Sequence, residues 1–165
     1  MKPSQTVFRV RPAQVRDVDV LARHRSAMFR DMGQLAEDKQ HGLTAATAAY
    51  LRRAIPSGEY LAWVAEDTAA PAQIVGGAGV QLRPIMPRPG GGDRLELGPE
   101  ALVLNVYVER SWRRRGVAAA LMRTLLAALS ERDIRRVVLH ASADGRHLYE
   151  QLGFAPTNEM RLKTT

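Results

Sequence analysis

The sequence predicts a mixed α/β domain, one sheet flanked by helices. Three observations carry this. Short runs of strand character alternate with segments of helical period. The most strand-like run, residues 101–108, passes through a short loop into the most helical segment. And 165 residues at 45% hydrophobic and 25% charged suit a single domain, 1–165, with a buried core.

Val7-Phe8-Arg9-Val10-Arg11 alternates apolar and charged, as a half-buried strand does, and Pro12 ends it. A helix is expected over 15–32. There Val18, Leu21, Arg25, Met28 and Met32 recur at helical spacing, Asp17 or Asp19 supplies an acidic start, and Gly33 a C-cap. A second helix, 45–54, takes Thr44 as N-cap and stops at Pro56-Ser57-Gly58. Residues 60–66 and 74–82 read as strands joined by a hairpin-length loop. Pro84, Pro87, Pro89, Gly90, Gly91, Gly92 and Gly98 make 83–99 a long mobile loop inside the domain. Residues 101–108 read as a fully buried strand. A helix over 115–130 then presents Val117, Ala118, Leu121, Met122, Leu125, Leu126 and Leu129 on one face. Residues 136–140 form another strand. A short helix, 144–152, ends at Gly153, with Phe154 placed for the apolar contact that accompanies such a cap. Glu159-Met160-Arg161-Leu162 is expected to close the sheet.

The chain carries 24 Lys+Arg against 17 Asp+Glu, a net charge of +7, and no cysteine. The missing thiols exclude a disulfide scaffold, a thiolate metal site and a covalent cysteine nucleophile. His24, His41, His140 and His147 lack the spacing of a metal pair, so no metal is expected. No apolar leader opens the sequence and no membrane span follows, which predicts a cytoplasmic protein. Val75-Gly76-Gly77-Ala78-Gly79-Val80 lacks the third glycine and the following helix of a dinucleotide fingerprint, and its glycines read as bulge residues.

The informative segment is Val108-Glu109-Arg110-Ser111-Trp112-Arg113-Arg114-Arg115-Gly116-Val117-Ala118, where a strand runs through a loop into a helix. Three arginines at a helix start oppose the macrodipole, a conflict that an anion would remove. Gly116 lets a backbone approach a ligand and Ala118 leaves room beside the first turn, an arrangement suited to a diphosphate; a solvated basic helix start is the plain alternative.

Arg113-x-x-Gly116-x-Ala118 after a strand, then an amphipathic helix, a strand and Leu148-Tyr149-Glu150-Gln151-Leu152-Gly153-Phe154, resembles the GNAT superfamily of acyl-CoA-dependent N-acetyltransferases. The likeness is strong over about 101–162 and rests on element order before that. It implies a GNAT-type fold, acetyl-CoA as cosubstrate and an amine acceptor. Arg113, Arg114, Arg115, Gly116, Val117 and Ala118 would offer backbone amides to the CoA diphosphate. Val106, Tyr107 and Val108 would lie on a splayed strand beside the pantetheine arm, with the N–H near Val108 polarising the thioester carbonyl. Tyr149 would be the catalytic acid that protonates the departing thiolate. Ser142 stands where many members carry an Asn that contacts the cofactor.

The resemblance offers no base from the central strand, whose interior reads Leu102, Val103, Leu104 and Asn105. Glu66, Glu100 and Glu159 are expected as solvated or capping charges, leaving ordered water or an already neutral amine. The acceptor is expected near Met28, Phe29 and Met32 on the first helix. Without cysteine, transfer must be direct, through a ternary complex. Edge-strand pairing in this fold allows a homodimer. Two other readings stand beside this one. The arginines of 110–136 could serve a nucleic-acid-binding module, against which count the 5% aromatic content and the apolar helix face among them. A non-catalytic acyl-CoA sensor is disfavoured by the presence of Tyr149.

Overall fold

The computed structural model describes residues 7–163; the first six, on which the reading of a missing leader partly rests, lie outside them. Strand β1 (Phe8–Pro12) leads through a short 3-10 turn into α1 (Val18–Asp31), and a second such turn leads into α2 (Gln40–Ser57). β2 (Tyr60–Asp67) and β3 (Ile74–Arg83) form a hairpin. Then come the two-residue strands β4 (Arg88–Pro89) and β5 (Leu95–Glu96), β6 (Glu100–Val108), α3 (Val117–Glu131), β7 (Val137–Leu139) and α4 (Arg146–Gln151). The main sheet has the order β1-β2-β3-β6-β7. Every pair is antiparallel except β6 with β7, so the expected mixed sheet is present.

Strand alternation separates two cores. Tyr60, Ala62 and Val64 of β2 pack with Val18, Leu21, Ala22, Ala48, Leu51 and Ala54 of α1 and α2. Trp63 and Ala65 face the other way, with Val117, Leu121, Met122, Leu125 and Leu129 of α3. Leu121, Leu125 and Leu129 are fully sealed, each contributing about 1.5–3 kcal/mol by burial. The α3 stripe therefore seals one face of the sheet across β2, β3 and β6.

Helix ends follow the predicted signals in part. Gly33 (φ +68°) ends α1, with Gln34 N–H donating to the Phe29 carbonyl oxygen and Gly33 N–H to that of Arg30, as a Schellman cap requires. Gly153 (φ +92°) does the same for α4, where Phe154 N–H reaches the Tyr149 oxygen at 3.0 Å and the two rings meet edge to face at 6.1 Å. Thr44 does not cap α2. The helix starts at Gln40, and the Thr44 hydroxyl bonds back to the Gln40 carbonyl oxygen and to Ser26.

Three further expectations are corrected. Residues 83–99 contain a small hairpin, with Gly90 N–H donating to Arg94 O at 2.8 Å. Residues 159–162 form no strand; Met160 and Leu162 are exposed, so nothing apolar holds them on the sheet. Glu66 and Glu100 are buried rather than solvated, each neutralised by two arginines that reach it from the rim: the exposed Arg9 and half-buried Arg11 on Glu66, Arg83 and Arg136 on Glu100. Glu159 is exposed and accepts from His140.

Candidate active site

β7 accompanies β6 only at its start, pairing Ala101 with Val137, Leu102 with Val138 and Val103 with Leu139. β6 continues to Val108 along β3. Residues 104–108 thus turn one edge to β3 while the other has no strand partner among the described residues. Glu109 N–H donates to Val75 O at 2.9 Å. Antiparallel alternation then turns the main-chain groups of Tyr107 toward β3 and those of Val108 toward the open edge. The Val108 carbonyl oxygen lies on that side, accepting from Arg113 Nε at 3.0 Å.

The fork coincides with a kink. The β3–β6 register slips, Leu104 lying opposite Gly79 but Tyr107 opposite Gly77, and Asn105 between them has φ +60°. Among non-glycine residues, Asn tolerates this region best. Its buried side chain is held from two directions: Nδ2 donates to the Tyr60 hydroxyl at 2.7 Å, and Oδ1 accepts from Arg25 Nη1. Burial pushes the Tyr60 phenol up to about 12. Gly79 is obligatory for this arrangement, since a Cβ there would overlap the Tyr60 hydroxyl and ring. The neighbouring glycines also admit close neighbours: a Cβ would stand 2.8 Å from Leu21 at Gly77 and 2.9 Å from the Tyr107 oxygen at Gly76. These glycines thus serve close packing, beside a slip whose extra residue lies in β6 rather than at the glycines themselves, none of which has positive φ.

The three arginines sit before the helix, not in its first turn. α3 begins at Val117 with Gly116 (φ +79°) as N-cap, and Arg114 also has positive φ, +63°. No side chain caps α3, so the amides of its first turn lack an intrahelical or side-chain acceptor and leave the positive end of the dipole open. The arginines themselves are unequal. Arg113 and Arg110 both bind Asp31 at the end of α1, at 2.6 and 2.7 Å, and these bonds hold the Asp31 carboxyl below its usual range. Arg113 also covers the Tyr107 ring, and Arg115 the Trp112 ring. Part of the charge conflict read from sequence is therefore relieved by Asp31.

Beside the loop, buried His24 packs against Tyr107 with the rings tilted at 42° and their centres 4.9 Å apart, and it meets Glu109 Oε1 through Nε2 at 3.0 Å. Burial outweighs Glu109 and lowers the His24 pKa. Tyr149 is half-buried on α4, in contact with the same apolar cluster as Val106 and Leu139. Burial raises its pKa, and its hydroxyl has no hydrogen-bond partner among the described residues. Ser142 accepts from Gly145 N–H at 3.2 Å, ordering the turn into α4. Val117 is buried and Ala118 half-buried on α3. Met28 and Phe29 are half-buried near the end of α1, and Met32, its C-cap, is exposed. Among the described residues no group of three or more His, Asp or Glu side chains is placed to hold a metal ion, and no helix is long and apolar enough to cross a membrane.

Arg25, Asn105, Tyr60, Asp31 and the His24–Glu109 pair were not singled out as site residues from sequence. Two of them had a signal: Arg25 occupies a position on the apolar stripe of α1, and Asn105 interrupts an otherwise apolar strand. Asp31 and Glu109 had none, because their partners are distant in sequence.

Residues 58–156 match the family model described as "Acetyltransferase (GNAT) domain". Among solved structures, a GCN5-related N-acetyltransferase from Ralstonia eutropha is 31% identical, with a TM-score of 0.81 over 95% of this chain and 98% of that one. A predicted acetyltransferase from Clostridium acetobutylicum, solved with acetyl-CoA, is 25% identical, with a TM-score of 0.78 over 95% and 96%. Glucosamine-6-phosphate N-acetyltransferase from Arabidopsis thaliana shares the fold at 13% identity, with a TM-score of 0.68 over 95% and 97%. No match was found among curated proteins.

Proposed function

The chain belongs to the GNAT acetyltransferase family, and from that premise we propose that it transfers acetyl from acetyl-CoA directly to a primary amine, with both substrates bound together. The observation that carries this reading is the fork: β6 leaves β7 after Val103 and runs, with one edge free, to the uncapped start of α3. An extended pantetheine arm suits the free edge, and the diphosphate suits the amides of Arg113 to Ala118, where two residues of positive φ pre-shape the turn. Ser142 lies in the turn before α4 and offers a hydroxyl to the cofactor.

Acetyl-CoA supplies an activated thioester. In the transfer, the amine nitrogen attacks the thioester carbon and charge gathers on its oxygen. The Val108 N–H, turned toward the open edge by strand alternation, stabilises that charge. The C–S bond then breaks and Tyr149 gives its proton to the sulfur, regaining one from solvent. The half-buried phenol stays protonated at neutral pH, as its raised pKa requires, and its unpartnered hydroxyl is free to donate. The amine's own proton leaves to water. With no cysteine in the chain, an acyl-thiol intermediate has no residue to form on. Met28, Phe29 and Met32 supply an apolar border on the acceptor side.

The test is CoA release from acetyl-CoA across a panel of amines. Tyr149→Phe should lower turnover about 10²–10⁴-fold while leaving thermal stabilisation by acetyl-CoA in place. Unchanged turnover across pH would remove Tyr149 from the mechanism. Salt-sensitive nucleic-acid binding without acetyl-CoA stabilisation would replace the whole reading.

A further inference from the structure

Four arginines among the described residues are half-buried: Arg11, Arg25, Arg83 and Arg136. Three have carboxylates. Arg11 binds Asp17 at 2.7 Å and also Glu66, while Arg83 and Arg136 share Glu100. Arg25 has no ion-pair partner among the described residues. Its head donates one hydrogen bond to Asn105 Oδ1, and its Cζ lies over the Phe29 ring, 4.9 Å from the centre. Neither neighbour carries a negative charge. A desolvated guanidinium without a counter-charge is costly, and this protein supplies one at each comparable position but this.

The position gives the exception meaning. Asn105 lies two residues beyond Val103, the last β6 residue with a β7 partner, so the Arg25 head stands where the two strands part. A guanidinium has five N–H donors in a planar fork, and only one is used here. The others are not sealed: among the described residues the buried side-chain polar atoms without a hydrogen-bond partner are His24 Nδ1 and Glu96 Oε2, and none belongs to Arg25. The cation thus offers open donors at the fork, with an aromatic ring beneath its head and an amide holding one end. The CoA phosphates are expected elsewhere, beyond Val108 at the other end of this stretch of β6.

We propose that Arg25 binds a carboxylate of the acceptor, so that the amine acetylated belongs to a small amino-acid-like molecule. Planar, bidentate pairing is what the fork of a guanidinium provides and a single amide or hydroxyl does not. This rests on the acetyltransfer reading and adds a substrate class to it. Phe29, already expected on the acceptor side, acts by holding the guanidinium head, a contact worth more when desolvated.

The experiment compares CoA release with glycine, alanine, methionine, phenylalanine and glutamate against their α-amides. For at least one pair the free acid should be favoured in kcat/KM by about tenfold or more, because the amide leaves the half-buried cation without a counter-charge. In Arg25→Gln that preference should collapse through a rise in KM for the acid, and Arg25→Lys should restore part of it. Equal use of acids and amides by the wild type, which needs no variant, overturns the proposal. So does a preference that survives Arg25→Gln in protein still stabilised by acetyl-CoA. If no amine in the panel is turned over, melting of the acetyl-CoA complex decides: stabilisation by acids and not amides supports the carboxylate site, and its absence refutes it. Failure of acetyl-CoA to stabilise the wild type would refute acetyltransfer instead, with the carboxylate site then judged by acid against amide on the free protein.

Discussion

Replacing Tyr60 by Phe removes one oxygen from the interior and leaves the Asn105 amide, buried behind β6, without its acceptor. A buried donor stripped of its partner costs about 1–3 kcal/mol. Taking about 2 kcal/mol, a chain of this size should lose ~4–8 °C in Tm. The phenol also makes the penalty depend on pH. Its pKa stands at about 12 when folded against an ordinary 10.0, so the folded protein holds a proton that the unfolded chain releases above pH 10. That contribution is full below pH 10 and is lost as pH rises toward 12. The wild type should therefore lose about 1 kcal/mol by pH 11 that the Phe variant cannot lose. Tyr50, Tyr107 and Tyr149 titrate in both proteins and drop out of the difference. Urea unfolding of the pair from pH 8 to 11 should give a gap that is widest at the lower end and shrinks with alkalinity. A constant gap would refute the buried-phenol account, and no gap at pH 8 would mean that Asn105 finds another acceptor.

Gly79→Ala places a methyl into the Tyr60 ring and should cost about 1–3 kcal/mol by overpacking, read as a fall in the urea midpoint with an unchanged slope. Gly116→Val meets nothing within 4 Å. Its cost is that of a β-branched residue at positive φ, about 1–2 kcal/mol, and its affinity for acetyl-CoA, followed by calorimetry, should fall about tenfold as the turn relaxes. On the acid side, burial would raise the Glu100 carboxyl, but hydrogen bonds from Arg83 and Arg136 more than reverse this and set it below the ordinary 4.5. Its stabilisation is thus full above pH 4.5 and is lost as pH falls through the lowered value. Glu100→Gln should flatten the loss of stability between pH 5 and 3 in urea melts.

Much of the scaffold was legible in local chemistry. The apolar period of α3, the run of β6, and the glycines at 33 and 153 each report on their own few residues, and the structure agrees. The start of α2 was misplaced because Thr44 is a good cap by type, yet its hydroxyl found an acceptor one turn back. The last strand failed because Met160 and Leu162 alternate correctly but meet no core. Within the site, the Arg113–Ala118 loop could be read because its parts are contiguous. Arg25, Asn105 and Tyr60 come from three elements, and what joins them is a slip in register that one chain read linearly does not contain.

The carboxylate at the end of α1 changes how the site responds as a whole. Asp31 grips Arg110 and Arg113, which flank Trp112, while Arg113 reaches back to the Val108 oxygen. The helix that carries Arg25 and Phe29 is thereby clasped to the turn that precedes α3. A displacement of either is transmitted to the other through one charged clasp, so whatever settles on the acceptor side acts on a turn tied to its own helix. It also leaves fewer free cations for phosphate than a count of arginines in the sequence implies, which should make cofactor binding less sensitive to salt than the basic run suggests.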